Sequence, residues 1–72
     1  MTPYRNLSGH SGVVAYEVRP GAIAVRFRGG HTYLYTQASA GEEAVAQMQR
    51  LARAGRGLST FIARRQPGYV PT

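Results

Sequence analysis

The sequence predicts an α+β domain: a three-stranded antiparallel β-meander packed on one α-helix and closed by a short C-terminal element. Residues 13–36 alternate apolar and polar side chains, with turn residues between the runs. Residues 40–54 carry an apolar stripe at helical spacing. With 72 residues, the chain can build one small core. We therefore divide it into an irregular lead-in (1–10), a single domain (11–66) and a loosely held tail (67–72).

The first two of the three predicted strands each end at a turn. The first covers Val13 to Val18 with Val14, Tyr16 and Val18 on one side, and Pro20-Gly21 follows it. The second covers Ala22 to Arg28, and Gly29-Gly30 is a hairpin signal. The third covers His31 to Thr36. Alternation in the second strand sorts its side chains onto two faces, one with Ile23, Val25 and Phe27 and the other with Ala24, Arg26 and Arg28.

The predicted helix covers Ala40 to Ala54. Ser39 followed by Glu42 has the spacing of a capping box at a helix start, and Gly55 stands where a left-handed C-cap would end it. Its apolar stripe comprises Ala44, Val45, Met48, Leu51 and Ala52. The segment Leu58 to Gln66 fits either a short helix or a strand. If it and the tail are strands, a small β-barrel is the alternative fold.

The composition favours a polyanionic partner. Nine arginines and no lysine stand against three glutamates, so the net charge is +6. The absence of cysteine excludes disulfides, thiolate zinc sites and thiol nucleophiles. No apolar run approaches the roughly 20 residues that span a bilayer, and the first residues lack the apolar core of a secretory signal. We expect a cytoplasmic protein without a membrane partner, whose thin core would be compatible with a homodimer.

Two stretches resemble a known family. The pattern Ile23-x-Val25-x-Phe27-x-x-Gly30-x-x-Tyr33-x-Tyr35 is similar to the centre of the KTSC domain, and Ser11-x-Val13-Val14-Ala15-Tyr16-Glu17 looks like its first strand. With the glycine-rich joint before Phe61-Ile62, the resemblance covers residues 11–66. It implies a small bacterial domain that stands alone or follows some lysyl-tRNA synthetases. That association implies RNA binding.

The loop of the predicted hairpin decides where its aromatic residues lie. A two-residue loop at Gly29-Gly30 would place five side chains on one face of the sheet, namely those of Arg26, Arg28, His31, Tyr33 and Tyr35. Aromatic rings interleaved with guanidinium groups form a surface on which single-stranded bases stack. A three-residue loop would shift the pairing by one residue and move Tyr33 and Tyr35 into the core. Arg26 and Arg28 keep their face in either register.

Further arginines lie downstream, at positions 50, 53, 56, 64 and 65. Arg56, between Gly55 and Gly57, is on a backbone that could approach a phosphate or could simply cap the helix. The groups available for acid–base chemistry are His10, His31, Glu17, Glu42 and Glu43, and no spacing brings His31 to Glu17. His10 fits an exposed loop.

The sequence thus predicts a non-enzymatic nucleic-acid-binding module without metal or cofactor, for RNA before DNA. Its predicted contacts are Arg26, Arg28, His31, Tyr33, Tyr35 and Arg56. The alternative is a protein-interaction module that docks on an acidic surface of the translation or transcription machinery.

Overall fold

The backbone of this chain forms a five-stranded antiparallel sheet in a computed structural model that describes residues 1–7, 9 and 11–71. The predicted loop residue His10 lies outside those residues. The strands, which are neighbours in chain order, are β1 (Thr2–Pro3), β2 (Val13–Arg19), β3 (Ala22–Phe27), β4 (Thr32–Thr36) and β5 (Val70–Pro71). The helices are α1 (Gln37–Ala40), α2 (Glu42–Ala54) and α3 (Leu58–Arg65).

The α+β class is confirmed, but the prediction of three strands is wrong. The segments on either side of the predicted domain contribute the two short edge strands, β1 and β5, which pair with β2 and β4. Runs of two residues are too short for an alternating pattern to reveal. The sheet is open and residues 58–65 are helical, so the barrel alternative is wrong.

A β-bulge in β2 changes the predicted face of that strand. Val13 pairs with Phe27 but Ala15 pairs with Arg26, so Val14 is an extra residue without a partner in β3. As a result Val13 is buried, at 2% exposure, and Val14 is 41% exposed. The prediction that Val14 shares a face with Tyr16 is therefore wrong.

The long helix begins two residues later than predicted, and Ser39 has a different role. Thr36 is the N-cap of α1: its hydroxyl accepts from Ser39 N at 3.0 Å, and the Ser39 hydroxyl accepts from Thr36 N at 3.0 Å. Gly41, at φ 94°, separates α1 from α2, whose first turn carries Glu42. The predicted capping box between Ser39 and Glu42 is thus wrong, while the left-handed C-cap at Gly55 is confirmed.

The core lies between one face of the sheet and the helices. All three helices contribute side chains to it, and its buried members are Tyr4, Val13, Ile23, Val25, Tyr35, Met48, Ala52 and Leu58. Tyr4, from the segment expected to be irregular, accepts a hydrogen bond through its hydroxyl from Leu58 N at 3.3 Å. The opposite face of the sheet, which includes Arg26, carries no helix within the described chain.

Candidate nucleic-acid interface

The hairpin between β3 and β4 has a three-residue loop. Phe27 N donates to His31 O at 2.7 Å, and Gly30 N donates back to Phe27 O at 3.0 Å. The loop residues are therefore Arg28, Gly29 and Gly30. Both glycines have positive φ, 99° and 93°, a conformation that costs glycine little. The two-residue loop is wrong, and the three-residue alternative is confirmed.

This loop places the two tyrosines of β4 on the core side. Tyr35 is opposite Ile23 and Tyr33 is opposite Val25, and directly opposed residues share a face. Tyr35 is only 1% exposed. Arg26 is opposite Thr32 instead, and its Nε donates to Thr32 Oγ1 at 3.4 Å. The face of arginine and tyrosine side chains that the shorter loop would have formed is absent. Burial of the two tyrosine rings stabilises a thin core, whereas their exposure on that face would not.

The tyrosine rings of β4 contact other aromatic rings of the chain. Tyr33 stacks on Tyr69 with centroids 4.1 Å apart and planes inclined by 22°, and lies 5.4 Å from Phe27. Tyr69 also meets Tyr35 edge-on at 5.9 Å. Burial, reinforced by these neighbours, raises the pKa of Tyr35 to about 12. Sequence reasoning missed Tyr69, whose only signal is an aromatic residue just after Pro67-Gly68.

Arg26, Arg28 and His31 remain exposed at the hairpin end of the sheet, and we call these three residues the hairpin site. The backbone of its loop is held by Arg28 N, which donates to Gly12 O at 2.7 Å. The side chains project from a fixed turn, so they can meet an anion without a change of fold.

Arg56 lies far along the chain from the hairpin, in the joint between α2 and α3. It is exposed, between Gly55 at φ 78° and Gly57 at φ 83°. Four exposed arginines border α2 and α3 in this region, namely Arg50, Arg56, Arg64 and Arg65. The structure therefore divides the predicted contacts into separate groups: the hairpin site, the core-side tyrosines of β4 and the helical region of Arg56.

The arginines are almost free of acidic partners. All nine are exposed, and a single ion pair joins them to a carboxylate within the described residues, Arg19 Nε to Glu17 Oε2 at 2.8 Å. The Arg19 guanidinium lowers the pKa of Glu17. Two other guanidinium groups donate to neutral oxygens, from Arg5 to the Arg53 carbonyl and from Arg50 to the Gln47 side chain. A positive surface of this kind attracts polyanions.

The acid–base residues that the structure describes are not assembled into a site. Glu17 is opposite Ala24 of β3, whereas the His31 carbonyl accepts a hydrogen bond from Phe27 N. Ala24 and Phe27 are roughly 10 Å apart along β3, so Glu17 and His31 lie well apart. Among the residues described, no three histidine, aspartate or glutamate side chains cluster as metal ligands would. The described helices are all too short or too polar to cross a membrane.

No family model, curated protein or solved structure matches this chain. The resemblance to the KTSC domain therefore stays a prediction.

Proposed function

We propose that this chain is a small non-enzymatic nucleic-acid-binding module, for RNA before DNA, which contacts the phosphate backbone through its hairpin site. One observation carries the proposal: of nine exposed arginines, only Arg19 has a carboxylate partner among the described residues. Guanidinium groups that are not neutralised by a carboxylate are available to phosphate oxygens, to which they can donate two parallel hydrogen bonds. The preference for RNA rests on the resemblance to the KTSC domain.

The expected mode of binding is electrostatic at the sheet. Because Tyr33 and Tyr35 lie on the core side, the hairpin site offers two guanidinium groups and the His31 imidazole but no tyrosine ring. Phosphate contacts position a nucleic acid but do not read its sequence. We therefore expect weak sequence preference and a steep dependence on salt at this site.

The test is fluorescence anisotropy with a single-stranded RNA over a series of salt concentrations. Replacing Arg26 and Arg28 by Gln removes two phosphate contacts, so the slope of log K against log salt should become shallower by about 1.4 for a single strand. The matched control is Arg19→Gln with Arg53→Gln, which has the same net charge of +4 but keeps the hairpin site. Equal losses in both variants would show that only net charge matters. Absence of binding by the unaltered protein near physiological salt would reject the function.

The second candidate, a protein-interaction module, is favoured by the uncovered face of the sheet. Val14 and Val70 on this face are 41% and 47% exposed, and Leu34, the partner of Val70, is partly exposed. Arg26 lies on the same face, so an acidic protein surface with apolar residues would be complementary. Val14→Ser with Val70→Ser should weaken such a complex and leave RNA affinity unchanged. A poly-glutamate peptide that displaces RNA at equal charge concentration would favour this candidate.

A further inference from the structure

We propose that the surface depression between α2 and α3, here the α2–α3 groove, is a second site that binds a single-stranded nucleotide segment by stacking a base on Phe61 and pairing phosphates with arginines. The inference rests on the proposed function, because it assigns part of the nucleic-acid contact to a different face of the molecule.

The groove consists of two adjoining depressions. The smaller, of about 520 Å³, has an apolar floor that includes Leu51, Gly57 and Phe61. The larger, of about 1010 Å³, continues along α2. Phe61 and Arg65 border both, so they form the ridge between the two. Ligand sites typically measure about 300–1,000 Å³, so the smaller depression can hold one nucleotide and the larger its neighbour.

Charge in the groove is distributed unevenly. Arg56, Arg64 and Arg65 line the smaller depression, which has no acidic residue in its lining. The larger one contains Arg50 but also Glu42 and Glu43 at the start of α2. The strongest attraction for a phosphate is therefore at the end near Arg56.

Phe61 is a partly exposed ring with a guanidinium above it. The Arg65 Cζ atom lies 5.8 Å from the ring centroid, within the range of a cation–π contact. At an exposed site this contact is weaker than the stacking of a nucleobase on an aromatic ring. A base can thus replace the guanidinium on Phe61. The displaced Arg65 then stays close to the phosphate that the base carries with it.

These features select a single strand over other polyanions. A duplex keeps its bases stacked on one another, so its bases could not reach Phe61. An acidic peptide would satisfy the arginines but has no flat ring to replace Arg65. Inorganic polyphosphate likewise engages only the charges, which makes it a probe for the part of the affinity that does not depend on bases.

The experiment compares binding of hexa-adenylate and of polyphosphate by variants of the full chain. Phe61→Leu keeps an apolar side chain against α2 but removes the ring, and should weaken hexa-adenylate binding at least about fivefold while leaving polyphosphate binding unchanged. Phe61→Tyr keeps the ring and should bind hexa-adenylate within about twofold of the unaltered protein. Arg56→Gln with Arg64→Gln should weaken both ligands more than the control pair Arg19→Gln with Arg53→Gln.

The outcomes separate this site from the general function. If the unaltered protein binds neither ligand, the proposed function and this inference both fail. If it binds hexa-adenylate but Phe61→Leu leaves that affinity unchanged, the groove is overturned while nucleic-acid binding as the proposed function is retained. A poly-glutamate peptide should bind the Phe61→Leu variant and the unaltered protein with equal affinity. Loss of peptide binding in that variant would contradict the proposal. The unfolding midpoint of each variant, measured as a control, shows whether that variant keeps its fold.

Discussion

Gly68 allows the C-terminal segment to pass close to the backbone of Ser39. Its replacement by Ala therefore tests how that segment is attached. A Cβ atom at position 68 would lie 2.2 Å from the carbonyl oxygen of Ser39 and 3.1 Å from its carbonyl carbon. Both are backbone atoms, so no side-chain rotation can relieve the contact. Ser39 is fixed in turn by its reciprocal hydrogen bonds with Thr36. We therefore expect the C-terminal segment to move.

The cost follows from the contacts that the segment would lose. Tyr69 would leave its stack on Tyr33 and its edge contact with Tyr35, and β5 would leave β4. Each aromatic pair contributes about 0.5–1.5 kcal/mol beyond its buried area. Gly68→Ala should thus lower the free energy of unfolding by about 1–3 kcal/mol. The assay is urea unfolding followed by circular dichroism.

Two comparisons make the result decisive. Gly12→Ala is the matched control, because a Cβ there has no atom within 4 Å and its φ is not positive. It should change the unfolding free energy by less than about 0.5 kcal/mol. Removal of residues 67–72 should cost as much as Gly68→Ala, since a detached segment stabilises nothing. A Gly68→Ala protein as stable as the Gly12→Ala control, or far less stable than the truncated chain, would contradict the expected detachment of the C-terminal segment.

Three further predictions concern the core. The pKa of Tyr35 is raised from 10 to about 12, so the folded state keeps a proton that the unfolded chain loses. The free energy of unfolding should therefore fall as the pH rises from 10 towards 12, and Tyr35→Phe should make this decrease shallower in a series of denaturation curves. Tyr4→Phe removes the acceptor of the buried Leu58 N and should cost about 1–3 kcal/mol in urea unfolding; an unchanged midpoint would mean that water replaces the hydroxyl. Met48 is fully buried, and Met48→Ala should cost about 2–5 kcal/mol, whereas a loss near zero would contradict the packing of α2.

Regular periodicity explains which parts of the fold could be predicted. In β3 the large apolar residues Ile23, Val25 and Phe27 alternate with smaller or charged ones, and α2 carries its stripe up to the C-cap at Gly55, so each pattern has one interpretation. The bulge at Val14 could not be predicted, because Val13 and Val14 are both apolar and either can face the core. Similarly, Thr36 and Ser39 form a capping box without the glutamate that usually marks one.

The candidate site depended on one residue of loop length. Gly29 and Gly30 are compatible with two- and three-residue loops, and the difference decides whether the tyrosines of β4 face the core or the solvent. The register also brings Tyr33 into contact with Tyr69, which is distant in sequence and follows no periodic pattern. Arg26, in contrast, could be placed from its own strand, since its face is set by Val25 and Phe27 on either side.

The two outer strands of the sheet also affect whether copies of this protein can associate by pairing their sheet edges. Each is two residues long and contains a proline, with Pro3 opposite Ala15 and Pro71 opposite Tyr33. A proline has no N–H to offer to an approaching strand, and such a short edge presents few unpaired groups. Growth of the sheet from chain to chain, the usual route to fibrils, is therefore disfavoured at these two strands. A concentrated solution of this protein should stay free of sheet-to-sheet polymers while it remains folded.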